Sequence, residues 1–320
     1  MSQFDQNSRS SSALSRKYDA EFVPGEDYRA SMPDPQNAET PEGLDTGCEI
    51  QQVGISNFRL PLKIQAADGS DVTVEASIVG TVPCAAGRRG INMGRIMRVF
   101  YTYQSEVFAP AVIESVLKDY CRELSADSAR LKVSFSYPMQ AAALRSGLTG
   151  FQFYKCAFDG RYSTQGGFES RMEFDFVYSS ACPCSADLSD HAESARGSYA
   201  VPHSQRSKAR VWVTVAPGET VTLEDLQKIC ADALKTETQV MVRREDEQAF
   251  AELNGANLKF VEDAARSLHS GLAAAPAIID FQLACAHLES LHSHDAVSVM
   301  VKGVPGGYTG DFDFFQDLVV

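Results

Sequence analysis

The sequence predicts an α+β fold in which antiparallel sheet carries its helices on one face. Three observations predict it. Short runs alternate apolar and polar residues with the period of a half-buried strand; longer segments place apolar residues on one helical stripe; and the two kinds follow one another as strands, helix, strands, then strand, helix, helix, strand. Runs of strands interrupted by helices favour helices packed on one side of an antiparallel sheet over a doubly wound parallel sheet.

Residues 1–47 are rich in Ser, Asp, Glu, Pro and Asn, with no sustained apolar period, and read as a disordered or extended tail. The pattern changes at "CEIQQVGISNFRLPLKI". From there "VTVEASIVGTV", "FQFYKCAF", "RMEFDFVYSS", "ARVWVTVA" and "HDAVSVMVKG" read as strands with one face toward a core. Between them "APAVIESVLKDYCRELS" puts Val112, Ile113, Val116, Leu117, Tyr120 and Cys121 on one stripe. "TVTLEDLQKICADALK" opens with Thr222 as an N-cap three residues before Asp225 and turns Leu226, Ile229, Cys230, Ala233 and Leu234 inward. "NLKFVEDAARSLHSGLAA" repeats Phe260, Val261, Ala264, Ala265 and Leu268. The two halves, 48–150 and 151–320, read as two modules on one theme.

At 320 residues the chain has ample material for one large or two medium cores. A net charge of −13 argues against a general nucleic-acid binder, whose affinity comes from neutralising phosphates. A small anionic ligand needs only a local cluster, and Arg206, Lys208, Arg210, Arg243 and Arg244 all lie near the motif segments described next. No window approaches the roughly 18–20 apolar residues that cross a bilayer, and no signal peptide is visible. The eight cysteines are spread thinly, several within apolar periodic segments, which is not a secreted disulfide framework. A reducing cytoplasm is the expectation, and there a Cys-Pro-Cys is metal-binding or catalytic rather than bridged.

Four segments hold most metal-competent side chains: "ACPCSADLS", "PHSQRS", "VRREDEQAF" and "HLESLHSHDA"; "NLKFVEDAA" adds a carboxylate. Cys thiolate, His nitrogen and Glu oxygen suit zinc and similar ions, and a mixed set leaves a position for water. A closed structural zinc site has no Cys-x-x-Cys pairs to rest on. Each piece has a bland reading. Cys182 and Cys184 make a turn with buried thiols; His292 and His294 open a strand and bond a loop; "RREDE" is a solvated charge run; Glu262 complements a helix dipole.

The ordered set CPCS, H-x-QRS, R-x-DE, KFVED and ES-x-H-x-HDA resembles the type IB GTP cyclohydrolases over most of residues 50–302. The resemblance implies a tunnelling fold of two modules, a homotetramer with active sites between subunits, and conversion of GTP and water to 7,8-dihydroneopterin triphosphate and formate, feeding folate biosynthesis. It further implies one divalent ion per site (zinc, manganese or iron) held by Cys182, His203, Glu247 and His292, with Cys184 as the alternative thiolate. Glu262 resembles the carboxylate that accepts two parallel N–H donors from the guanine edge. Glu289, His294 and His292 are implied acid/base or supporting groups, and Arg206 and Arg244 candidates for the triphosphate. The sequence departs from the family at "GRIMRVF", where Ile96 replaces a histidine, at Ser204, and in an insertion containing "DHAESARGSYAVP", whose His191 and Glu193 read as a solvated loop. Three alternatives share the fold: an archaeal-type cyclohydrolase giving a cyclic phosphate, a metal-free nitrile reductase with a cysteine nucleophile, and an inactive purine- and metal-binding scaffold.

Overall fold

The computed structural model describes residues 17–36, 39, 44 and 46–319. The leader expected through residue 47 therefore falls partly outside the described residues; its described part contains one exposed helical turn, α1 (Glu26–Ala30). The chain then forms β1 (Ile50–Gln65), β2 (Asp71–Cys84), α2 (Met93–Thr102), β3 (Val107–Phe108), α3 (Pro110–Leu124), β4 (Ser128–Ala142) and β5 (Thr149–Ser163). After the turn at 164–166 come β6 (Gly167–Ala181), α4 (Pro183–Arg196), β7 (Ser204–Val215), α5 (Leu223–Leu234), α6 (Arg244–Ala256), α7 (Val261–Ala273), β8 (Ile278–His287), β9 (Ala296–Val301) and a 3-10 turn over Phe315–Leu318.

One nine-stranded sheet runs β3-β1-β2-β4-β5-β6-β7-β8-β9, antiparallel except for the short β1–β3 pair. Two antiparallel runs, each interrupted by helices, follow one another, which is the α+β plan the sequence predicts. The alternation is direct: in β4, Ala129, Leu131, Val133, Phe135 and Tyr137 are buried while their neighbours face away. A continuous apolar core lies between the sheet and the inward stripes of α2, α3, α5 and α7, with Ile96, Tyr120, Phe174, Leu226 and Leu268 at its centre. Gly160 of β5 is required there, because a Cβ would sit 2.3 Å from Ile113 Cγ2 of α3.

All eight cysteines are free, and Cys84, Cys121, Cys156, Cys230 and Cys285 are buried as small hydrophobes. Among the described residues no helix is long and apolar enough to cross a membrane. The Thr222 cap is present in full: Thr222 Oγ1 accepts the Asp225 N–H at 3.0 Å and Asp225 Oδ2 accepts the Thr222 N–H at 2.9 Å. Thr222→Ala is expected to cost about 1 kcal/mol, read as a fall of roughly 2–4 °C in Tm by calorimetry.

Candidate functional site

Three strand ends build the site. β6 ends at Ala181 and hands the chain to Cys182, the N-cap of α4; β7 begins just after His203; β8 ends at His287, two residues before Glu289. The ladders pair Ala181 with Ser204 and Ser207 with His287, so these ends lie side by side. The Cys182 N–H donates to the His203 carbonyl at 3.2 Å, which holds thiol and imidazole residues together beyond the last rung.

His203 Nδ1 lies 3.2 Å from Glu289 Oε2 and 3.0 Å from Gln205 Oε1. Gln205 is itself oriented, because its amide donates to Ser180 Oγ at 2.7 Å and Ser180 Oγ meets Ser207 Oγ at 2.8 Å. Two acceptors on Nδ1 place the proton there and leave Nε2 its lone pair, the arrangement by which an outer carboxylate prepares a histidine for a metal. The donor set of thiol, imidazole and carboxylate therefore fits a borderline divalent ion in kind. Among the described residues of one chain, however, no group of three or more His, Cys, Asp or Glu side chains is gathered closely enough to hold it.

Behind this layer is a buried one. His287, 1 % exposed, meets the Tyr178 hydroxyl through Nε2 at 2.9 Å, and its Nδ1 lies 3.9 Å from Glu289 Oε1. Burial, with the nearby charge of Lys259 adding to it, pushes the imidazole down to about 4, so His287 is neutral at physiological pH. The Lys259 ammonium donates to the Asn257 carbonyl at 2.6 Å and to Thr236 Oγ1 at 3.3 Å, and burial pushes it down to about 8.

α6 starts where the sequence reads as a solvated charge run, because Asp246 at its third position is a buried anchor. It accepts the N–H groups of Arg145, Ser146 and Arg243, each at 2.8 Å. Burial alone would raise its carboxyl pKa, but these bonds outweigh it and hold the group well below the usual carboxylate range. The anchor fixes the helix whose next residue is Glu247, itself exposed.

The structure thus brings Cys182, His203 and Glu289 to one sheet end. Glu247, Glu262, Arg244, His292 and His294 are exposed on surrounding segments. Glu262 sits in the first turn of α7, as expected. His292 and His294 do not open a strand. They lie in the turn between β8 and β9, rings stacked at 4.8 Å and 14°, because pairing begins only at Ala296. Cys184 is exposed in the first turn of α4 while Cys182 is half-buried. His191 and Glu193 are exposed, but on α4 rather than in a loop, since Pro183 at the helix start and left-handed Gly197 at its end delimit fourteen helical residues. Arg206 stands, by strand alternation, on the sheet face opposite buried Gln205. Lys208 and Arg210 of the expected anion cluster are committed to Asp175 instead, at 2.7 and 2.5 Å. Ile96, in the place of a family histidine, is a fully buried core residue of α2. Lys259, His287, Gln205 and Asp246 carry no role in the sequence reading, although all four lie inside its motifs.

Comparison with known proteins places these motifs in one family. The family model described as type I GTP cyclohydrolase folE2 matches residues 32–298. A GTP cyclohydrolase FolE2 of Paracoccus denitrificans is 51 % identical over 294 residues, 91 % of this chain and 90 % of that protein. A GTP cyclohydrolase FolE2 of Cereibacter sphaeroides is 52 % identical over 293 residues, covering 91 % and 80 %. A uricase of Arthrobacter globiformis resembles the fold with a TM-score of 0.49 at 8 % identity, over 83 % of this chain and 97 % of that one. A match across this length, together with the Cys182 and His203 pairing at the strand ends, means that the chain belongs to the type I GTP cyclohydrolase folE2 family.

Proposed function

We infer that the chain hydrolyses GTP to 7,8-dihydroneopterin triphosphate and formate, a reading supported by relatives that carry the name GTP cyclohydrolase. The observation that carries the reading is His203, whose backbone carbonyl holds the Cys182 N–H and whose Nδ1 is fixed by Glu289 and Gln205 so that Nε2 is free to ligate. Cys182, His203, Glu247 and His292 would hold one divalent ion, zinc, manganese or iron(II). When bound, that ion supplies acidity to a water molecule and so a nucleophile at neutral pH.

The remaining work falls to the chain's own groups. Glu262, exposed at a helix start, accepts the ring N1–H and the exocyclic amine of guanine and so orients C8. Glu289 and His294 pass protons to the leaving ring nitrogens as the imidazole ring opens in two hydrolytic steps. Arg206 and Arg244 meet the triphosphate. Rearrangement and ring closure of the opened product then give the pterin.

The scattering of Glu247, Glu262 and His292 over the surface of one chain supports a site completed between subunits; the cytoplasmic homotetramer and the two modules per chain follow from the family resemblance. Exposed Val240, Met241 and Val242, directly before the helix of Glu247, and exposed Leu144 and Phe151 supply apolar surface for such a contact. Metal-free protein reconstituted in parallel with manganese, iron(II) and zinc is expected to release formate from GTP, one per neopterin triphosphate after oxidation, and to lose this activity with a chelator. Stoichiometric metal and bound GTP without formate would sink the reading, and a cyclic-phosphate product would replace it with the archaeal-type reaction.

A further inference from the structure

We propose that Lys259 is a positioning residue for the cyclohydrolase reaction, its buried ammonium fixing the loop that delivers Glu262 against the strand end that delivers Cys182; the inference rests on the reading above. Its backbone N–H donates to the carbonyl of Ala181 at 3.2 Å, one residue before Cys182, and Glu262 follows three residues after it. The side chain turns inward, leaving the residue 7 % exposed. Its Nζ holds Asn257 on its own loop at 2.6 Å and Thr236 on a second segment at 3.3 Å. Thr236 is in turn sewn onto β6: the Ser179 N–H donates to its carbonyl at 2.8 Å and its hydroxyl donates to the Ser179 carbonyl at 2.5 Å. One ammonium therefore links the segment leading to the guanine-binding carboxylate with the strand leading to the thiol.

Packing alone does not account for a lysine here. Both hydrogen-bond partners of the ammonium are neutral, and a buried charge satisfied only by neutral acceptors is costlier to fold around than a methionine of the same length. The charge acts on His287 at the end of β8, while Glu237, next to Thr236 in the chain, has its carboxylate engaged by the Tyr154 hydroxyl and by Gln227 at 2.9 Å. No carboxylate is among the hydrogen-bond partners found for the ammonium among the described residues. The charge also helps keep His287 neutral beside Glu289, leaving Glu289 to serve His203.

The test compares wild type, Lys259→Met and Lys259→Arg, all metal-loaded, for kcat and KM with GTP between pH 6.5 and 9.5, alongside metal content and Tm. Wild-type kcat/KM is expected to fall as pH rises through about 8, where the ammonium is lost. Lys259→Met is expected to stay folded with full metal, to show kcat/KM lower by roughly 100-fold with KM raised, and to lose the alkaline limb. Lys259→Arg, which does not titrate in this range, is expected to retain activity at neutral pH and move the limb upward. Lys259→Met within threefold of wild type overturns the proposal, as does an alkaline limb unchanged in Lys259→Arg. Should the methionine variant not fold, the arginine arm decides alone. Wild type that forms no formate from GTP would instead overturn the cyclohydrolase reading.

Discussion

Cys182→Ala is expected to lose the bound divalent ion and to lower formate release from GTP by roughly 10³-fold or more, while Cys184→Ala keeps both. The magnitude follows from what a bound ion contributes when the nucleophile is water at neutral pH. The choice between the two thiols follows from where the backbone puts them. Cys182 is the N-cap of α4, half-buried, and its N–H is tied to the carbonyl of His203, so the two residues share one strand end. Cys184 is two residues further on, about 200° around the helix axis at 3.6 residues per turn, and is exposed. Metal content by elemental analysis on both variants, with Tm as the folding control, decides. Retention of metal in Cys182→Ala with loss in Cys184→Ala would reverse the assignment and place the ligating thiol on the helix.

What was legible in the sequence depended on whether apolar burial repeated with a period. α3, α5 and α7 each bury one stripe against the sheet and are read from their spacing. α4 buries no residue at all, so its helix is written only in Pro183, Gly197 and ordinary propensity, signals that a search for apolar stripes passes over. α6 hides its start in a run of charge, because Asp246 acts as a backbone anchor reaching a loop about a hundred positions earlier, a partner no local pattern discloses. β8 is buried on both faces from Asp280 to His287 and so lacks alternation. Among site residues, Cys182, His203 and Glu289 were reached through the ordered motifs that carry the family resemblance. Gln205, His287 and Lys259 act through neighbours brought in by sheet register and by the ends of helices, which is information of the fold rather than of the motif.

Asp175→Asn is expected to destabilise the chain by about 3–5 kcal/mol, seen as a fall on the order of 10 °C in Tm. Asp175 and Lys208 are each 3 % exposed. The carboxylate accepts Arg210 Nε at 2.5 Å and Nη2 at 2.8 Å, and Lys208 Nζ stands 2.7 Å from Oδ2. The register of β6 and β7 sets this arrangement, pairing Asp175 with Arg210 and Val177 with Lys208. Asparagine keeps the shape of the aspartate and removes its charge, which leaves the Lys208 ammonium buried with neutral acceptors only, the Asp317 carbonyl at 3.1 Å and the new amide oxygen, while Arg210 retains Glu173 at 3.5 Å. The loss is thus the penalty of an unpaired buried cation rather than the net worth of the pair, and the two can be separated. Asp175→Leu combined with Lys208→Met removes both buried charges and is expected to recover more than half of the deficit in chemical denaturation, because apolar replacements of a buried ion group fold about as well as the ions. Because Lys208 also holds the segment ending in the Phe315–Leu318 turn, the single variant should become sensitive to protease near residue 317 before the sheet itself opens. A single variant within 1 kcal/mol of wild type would mean that Lys208 escapes to solvent, and that this segment does not seal the face of the sheet.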